Sequence, residues 1–153
     1  MSQYYFAYGS NMNAERMRLR GLNFSEATAG QIEHLALAFN KKAADAPHRS
    51  YANIIYRRNG LVEGVLYKLD SVAEIMKMDP FEGAPRLYSR DVYQVKTEQG
   101  HIPAWVYVAN KAMLADDLLP ARWYLNHLLA GQAYLSADYF KRLSEVKCLE
   151  HEV

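Results

Sequence analysis

Tyr5-Phe6-Ala7-Tyr8-Gly9-Ser10-Asn11-Met12 is the stretch from which the rest of the chain can be read. Residues 4–7 are short, apolar and aromatic, as a buried strand requires, and they stop abruptly at Gly9-Ser10-Asn11. A helical pattern follows over residues 13–19, with Met12, Arg16, Met17 and Leu19 set among charged neighbours. A strand that runs through a glycine-containing turn into a helix gathers several backbone N–H groups around one point, and such a turn is suited to an anion or an oxyanion. Gly9 allows close approach because it carries no Cβ. The same residues also read as a plain strand-to-helix turn in which glycine serves geometry alone.

Outward from this turn the chain alternates strands with a few helices. Leu35, Leu37 and Phe39 alternate within a strand predicted over residues 27–39, and residues 40–50 read as a loop. Ala52 to Tyr56 is a strand, Arg58-Asn59-Gly60 is expected to turn it back, and Val62 to Leu69 follows, with Gly64 marking a close approach of backbone or ligand. Asp70 and Ser71 are cap candidates for a helix that should end near Met78, since Pro80 opposes continuation. Ser89 to Lys96 and Ile102 to Val108 are strands around a Gln99-Gly100 turn. Residues 121–129 and 136–146 have helical periodicity, with Gly131 as a cap between them. Short strand spacing without regular βαβ alternation predicts an α+β fold. It should be a single domain over residues 1–153, with a mixed, mostly antiparallel barrel-like sheet and interspersed and C-terminal helices.

Composition limits the function classes. A net charge of +1 argues against a nucleic-acid or anionic-membrane surface, and Arg16, Arg18 and Arg20 read as a solvated helix face. No apolar run reaches membrane length, and the first residues lack the charged and apolar regions of a signal peptide. The lone Cys148 cannot form an internal disulfide, which suits a reducing cytoplasm. Twelve tyrosines supply apolar area with polar tips, the material of a small polar pocket.

Few groups are placed for chemistry. His34, His48, His101, His127 and His151 lack metal-ligand spacing, so no metal site is expected. Ser10 lacks the flanking-glycine elbow of a serine nucleophile, and Cys148 reads as structural. The remaining candidate lies in Met78-Asp79-Pro80-Phe81-Glu82-Gly83. If partly buried beside Phe81, Ala84 and Leu87, Glu82 would have its pKa raised towards neutrality, as a general acid–base needs. If exposed, it is an ordinary turn glutamate before a glycine.

Together these blocks resemble the γ-glutamylcyclotransferase family and its AIG2-like fold. Tyr5 to Asn11 matches the family's YFAYGSN signature without a gap. Tyr51-Ala52-Asn53-Ile54 resembles the strand before its second motif, and Val62 to Tyr67 its VWGVLY strand, with Glu63 where tryptophan is usual. Asp79 to Gly83 resembles the LDxxEG turn that carries the catalytic glutamate, and Tyr88-Ser89-Arg90 the following Y-x-R. Trp123-Tyr124-Leu125 and Leu135 to Tyr139 resemble the two-helix tail.

The resemblance implies release of 5-oxoproline from a γ-glutamyl compound, with Glu82 catalytic and no metal or organic cofactor. It implies substrate contacts from Tyr5, Phe6, Ala7, Tyr8, Gly9, Ser10, Asn11 and Tyr139, with the turn holding either the α-carboxylate or the oxyanion. The expected partner is a small γ-glutamyl molecule, with neither nucleic acid nor membrane, and a homodimer is left open. Other readings within the fold are a γ-glutamylamine cyclotransferase, removal of a γ-glutamyl protecting group from a biosynthetic intermediate, or a binding module without chemistry. Glu63 keeps the choice of substrate open.

Overall fold

The computed structural model describes residues 2–150; His151 lies outside them. In chain order the elements are β1 (Tyr4–Ala7), α1 (Ala14–Leu19), β2 (Phe24–Lys42), β3 (Arg49–Leu69), α2 (Ile75–Glu82), β4 (Tyr88–Thr97), β5 (Gly100–Ala109), β6 (Leu119–Pro120), α3 (Arg122–Leu129) and α4 (Ala137–Ser144). The sheet order is β1-β5-β4-β2-β3-β6, and an additional β1–β3 pairing closes the first five strands into a barrel, with β6 outside. Pairing is antiparallel except for β1 with β5 and β3 with β6, so the α+β, mostly antiparallel barrel expected from sequence is the observed fold. Among the described residues no helix is long and apolar enough to cross a membrane.

The barrel closes over Phe6, which is fully buried. Gly30 of β2 and Gly64 of β3 are directly opposite in register, and the Phe6 ring occupies the space that their side chains would fill. A Cβ built on Gly30 would lie 2.7 Å from Val95 Cγ1 and 3.3 Å from Phe6 Cε1. One built on Gly64 would lie 2.2 Å from the Ala7 carbonyl oxygen and 2.9 Å from Phe6 Cζ. The close approach expected at Gly64 is therefore that of the β1 backbone. An aromatic ring laid over facing glycines restores the apolar contact that they cannot make, and it seats β1 between its neighbours.

Several local expectations give way to longer-range pairing. Arg58-Asn59-Gly60 is not a hairpin turn: β3 runs unbroken from Arg49 to Leu69. Residues on both sides of it pair with the same strand, Leu35 with Tyr56 and Glu33 with Leu61. The register slips there, around His34 (φ 64°) and Asn59 (φ 62°), and the Asn59 N–H donates to His34 Nδ1 at 3.3 Å. This is a bulge, which bends the long β2–β3 ribbon without reversing it. The loop expected over residues 40–50 is shorter, because β2 extends to Lys42 and β3 begins at Arg49. Asp70 and Ser71 do not cap α2, and that helix continues through Pro80 to Glu82 before Gly83 (φ 64°) ends it. Gly131 does not cap α3, whose C-cap is Ala130; a Cβ on Gly131 would lie 2.9 Å from Met12 Cβ, so glycine there permits close packing.

Glu63 serves the second half of the chain. Its carboxylate accepts hydrogen bonds from the N–H and Oγ of Ser136, both at 2.7 Å, and Ser136 Oγ in turn accepts from the Tyr139 N–H at the start of α4. A glutamate at this position thus anchors a helix N-terminus to the barrel wall.

Gly64→Ala should destabilise the fold by about 1–3 kcal/mol or more, since its Cβ meets backbone that cannot yield. Urea unfolding checks this; an unchanged midpoint would show that β1 is not seated as described.

Candidate active site

Strand β1 delivers Tyr8 and the turn into the mouth of the barrel. Ser10–Met12 form a single 3₁₀ turn with Gly9 as N-cap and no side-chain cap. The first N–H groups of a helical turn have no acceptor inside it, so the Gly9–Asn11 amides are available to a ligand. Gly9 itself needs no positive φ; its φ is −111°. What constrains it is space, because a Cβ there would lie 3.3 Å from the Tyr124 hydroxyl and 3.4 Å from Ala52 Cβ.

The turn is held by Asn11, which is buried. Its backbone carbonyl accepts from the Tyr67 hydroxyl at 2.6 Å, and its Oδ1 accepts from Arg20 at 3.1 Å. With Oδ1 so engaged, Nδ2 donates to the Tyr5 hydroxyl at 2.9 Å and, at a long 3.4 Å, to Glu82 Oε1. Tyr5 accepts from Asn11, which leaves its own proton to donate. Ser10 Oγ accepts from Arg16 Nε at 3.1 Å. These contacts bring the turn and Glu82, 71 positions apart in sequence, to one cavity of about 230 Å³.

Glu82 is the last residue of α2 and lines that cavity. Burial of its carboxyl group raises the pKa to about 6, against the opposing pull of Arg20, Arg16 and Lys41. Asp79, one turn earlier on the same helix, has the opposite environment. Burial alone would raise it, but Arg90 grips both its oxygens at 2.8 and 3.0 Å and the Tyr107 hydroxyl donates at 2.6 Å, so its pKa falls below the usual value. Asp79 is thus an anchored, ionised carboxylate, and Glu82 is a carboxyl poised to exchange a proton near neutrality.

Of the residues predicted from sequence, Tyr5, Tyr8, Gly9, Ser10, Asn11 and Glu82 meet at the cavity. Phe6 and Ala7 do not line it. Phe6 alternates away from Tyr5 into the barrel core, and the Ala7 carbonyl lies against Gly64. Tyr139 is also elsewhere, lining a second cavity with Leu37, Phe39 and Leu143, because α4 packs on the outside of the β2–β3 ribbon. Glu63 is likewise absent from the lining; its carboxylate is engaged by Ser136 at the start of α4. Sequence reasoning missed Arg16, Arg20, Lys41, Tyr51, Tyr88 and Tyr124, all of which line the cavity. The i, i+4 spacing of Arg16 and Arg20 just after the turn was the available signal; Arg18, between them, faces solvent beside Glu15. Among the described residues no group of His, Cys, Asp and Glu converges as a metal site would require.

Comparison with known proteins places this geometry in a family. A sequence profile described as γ-glutamyl cyclotransferase, AIG2-like, matches residues 5–126. A solved structure of a γ-glutamyl cyclotransferase superposes with a TM-score of 0.83 at 22% identity, covering 99% of this chain and 91% of the other. The uncharacterized human protein LOC79017 gives 0.83 at 23% identity, with 98% and 90% covered. A yeast γ-glutamyl cyclotransferase specific to glutathione gives 0.67 at 12% identity, with 93% of each chain covered. At these identities the likeness is one of fold. No curated protein matches the sequence closely enough to count as a relative. The profile match spans the barrel, the turn and Glu82, and on it the chain belongs to the γ-glutamyl cyclotransferase, AIG2-like family.

Proposed function

We propose that the protein is a γ-glutamylcyclotransferase-type enzyme, in which the α-amine of a γ-glutamyl compound attacks its own γ-carbonyl to give 5-oxoproline and a free amine. The observation that carries this reading is the Glu82 carboxyl, withdrawn from water in the cavity that Gly9, Ser10 and Asn11 also line, with its pKa raised to about 6. Ring closure is intramolecular, so much of the entropic barrier is met by positioning the chain. As the N–C bond of the lactam forms and the original amide bond breaks, two of the three ammonium protons must reach the departing nitrogen. Glu82 carries them one at a time and ends in its starting state. Charge developing on the carbonyl oxygen is met by the turn amides and by the Tyr5 and Tyr124 hydroxyls. Burial raises the pKa of both tyrosines, so they remain donors at neutral pH. Protons and electrons balance within the substrate, so the reaction needs no redox partner. We place the activity in the cytoplasm, where a single unpaired Cys148 is at home.

Glu82→Gln keeps size and hydrogen bonding but cannot take a proton. Release of 5-oxoproline should fall by about 10²–10⁴-fold or more. In the wild type kcat/KM should rise with pH through about 6, because the base must be ionised to accept the ammonium proton, and this limb should vanish in the variant. Asp79→Asn should retain turnover and lose stability. Normal turnover by Glu82→Gln removes Glu82 from the mechanism.

Gly9→Val should reduce turnover by about 10²–10³-fold, the cost of a lost oxyanion donor. Its branched side chain enters the space between Tyr124 and Ala52. Ser10→Ala loses only the Arg16 contact and should cost far less; equal, wild-type rates in both variants would make the turn merely structural.

A further inference from the structure

Lys41 is a cation whose position the reaction alone does not explain. It is 4% exposed, yet among the described residues no carboxylate lies within ion-pair distance of it. Buried lysines are rare unless paired, because removing an ammonium from water costs more than packing its stem returns. Its neighbours are faces of tyrosine rings, Tyr51 at 5.3 Å and Tyr88 at 5.7 Å, which soften that cost without cancelling the charge.

A register shift in β2 sets the face that this side chain shares. Ala38 pairs with Asn53 and Lys41 with Tyr51, so β2 spends one more residue than β3 over this interval. The resulting bulge reverses the alternation and puts Lys41 on the same face as Tyr51, a lining residue of the cavity.

The other two cations belong to a different wall. Arg16 and Arg20 follow the turn and are tied to it through Ser10 and Asn11. Asn11 also touches Glu82, so the arginines stand at the end where the α-ammonium must meet its base and where the adjoining α-carboxylate must lie. Lys41 stands with Tyr51 and Tyr88 on β3 and β4. With three cations against Glu82, the cavity favours a substrate that brings more than the one carboxylate of its glutamyl part.

We infer that Lys41 receives a carboxylate carried by the departing amine, so that the preferred leaving group is an amino acid and not a neutral or cationic amine. This rests on the cyclotransferase reading above. A bare amine leaves the ammonium unpaired, and a polyamine or a lysine side chain adds repulsion.

The test is 5-oxoproline release from γ-glutamyl-alanine and γ-glutamyl-alaninamide, which differ only in the terminal carboxylate. Wild-type kcat/KM should favour the acid by about 10–100-fold, the range for a hydrogen bond to a charged group. In Lys41→Met, and equally in Lys41→Gln, that ratio should fall to about one. Far-UV circular dichroism and the urea unfolding midpoint of each variant check that it is folded. A ratio near one in the wild type, or a preference that survives both substitutions, overturns the assignment of Lys41 and leaves the cyclotransferase reading standing. No 5-oxoproline from either substrate with the wild type overturns that reading and this inference with it.

Discussion

A phenylalanine ring laid across two facing glycines holds the molecule in register. Phe6 can fill the centre of the barrel only because Gly30 and Gly64 are opposite each other and have no side chains. Their absence lets the β1 backbone approach β3 closely enough to close the sheet. Everything functional is referred to that seating. Because β1 is fixed, Gly9 to Asn11 emerge at one end of the barrel at a set angle, and because side chains alternate, Tyr5 faces the cavity while Phe6 faces the core. The family signature is thus two devices in one: alternate residues close the barrel and build the site.

The site then depends on how one helix treats two carboxylates. Asp79 and Glu82 are three residues apart on α2, and both are partly withdrawn from water. For Asp79, a two-point grip by Arg90 and a hydrogen bond from Tyr107 outweigh the cost of burial and keep it ionised. For Glu82, three cations act without a comparable bond, burial prevails, and the pKa rises to about 6. Opposite shifts in adjacent carboxyl groups divide their labour: one fixes the helix on the barrel and the other is free to move protons.

What the sequence makes legible follows the range of the interactions. The strand, turn and helix at the start are local and read correctly, as are β4, β5 and the two C-terminal helices. Arg58-Asn59-Gly60 misleads because a bulge and a hairpin turn use the same residue types. The difference lies in whether residues 52–56 pair with 62–69 or with β2, which no local pattern encodes. Pro80 misleads in the same way: it removes one helical bond, but Gly83 supplies a left-handed end that closes α2 after Glu82. Glu82 could be singled out from its neighbours, whereas Arg16 and Arg20 read as a solvated face until the cavity is seen to lie against them. Lys41 was hidden by a bulge within a stretch that reads as loop. Tyr139 was assigned by likeness to a tail, and its actual place follows from α4 docking on the outer face through Glu63 and Ser136.

Burial, and not a proton-sharing neighbour, holds the Glu82 carboxyl near neutrality beside the turn. Carbon-detected NMR of the protein with labelled glutamate side chains measures this directly. One carboxyl resonance should titrate near pH 6, well above the others, and be missing from the Glu82→Gln spectrum. If every glutamate instead titrates in the ordinary range of about 4–5, the carboxylate is solvated and the account of the site is wrong.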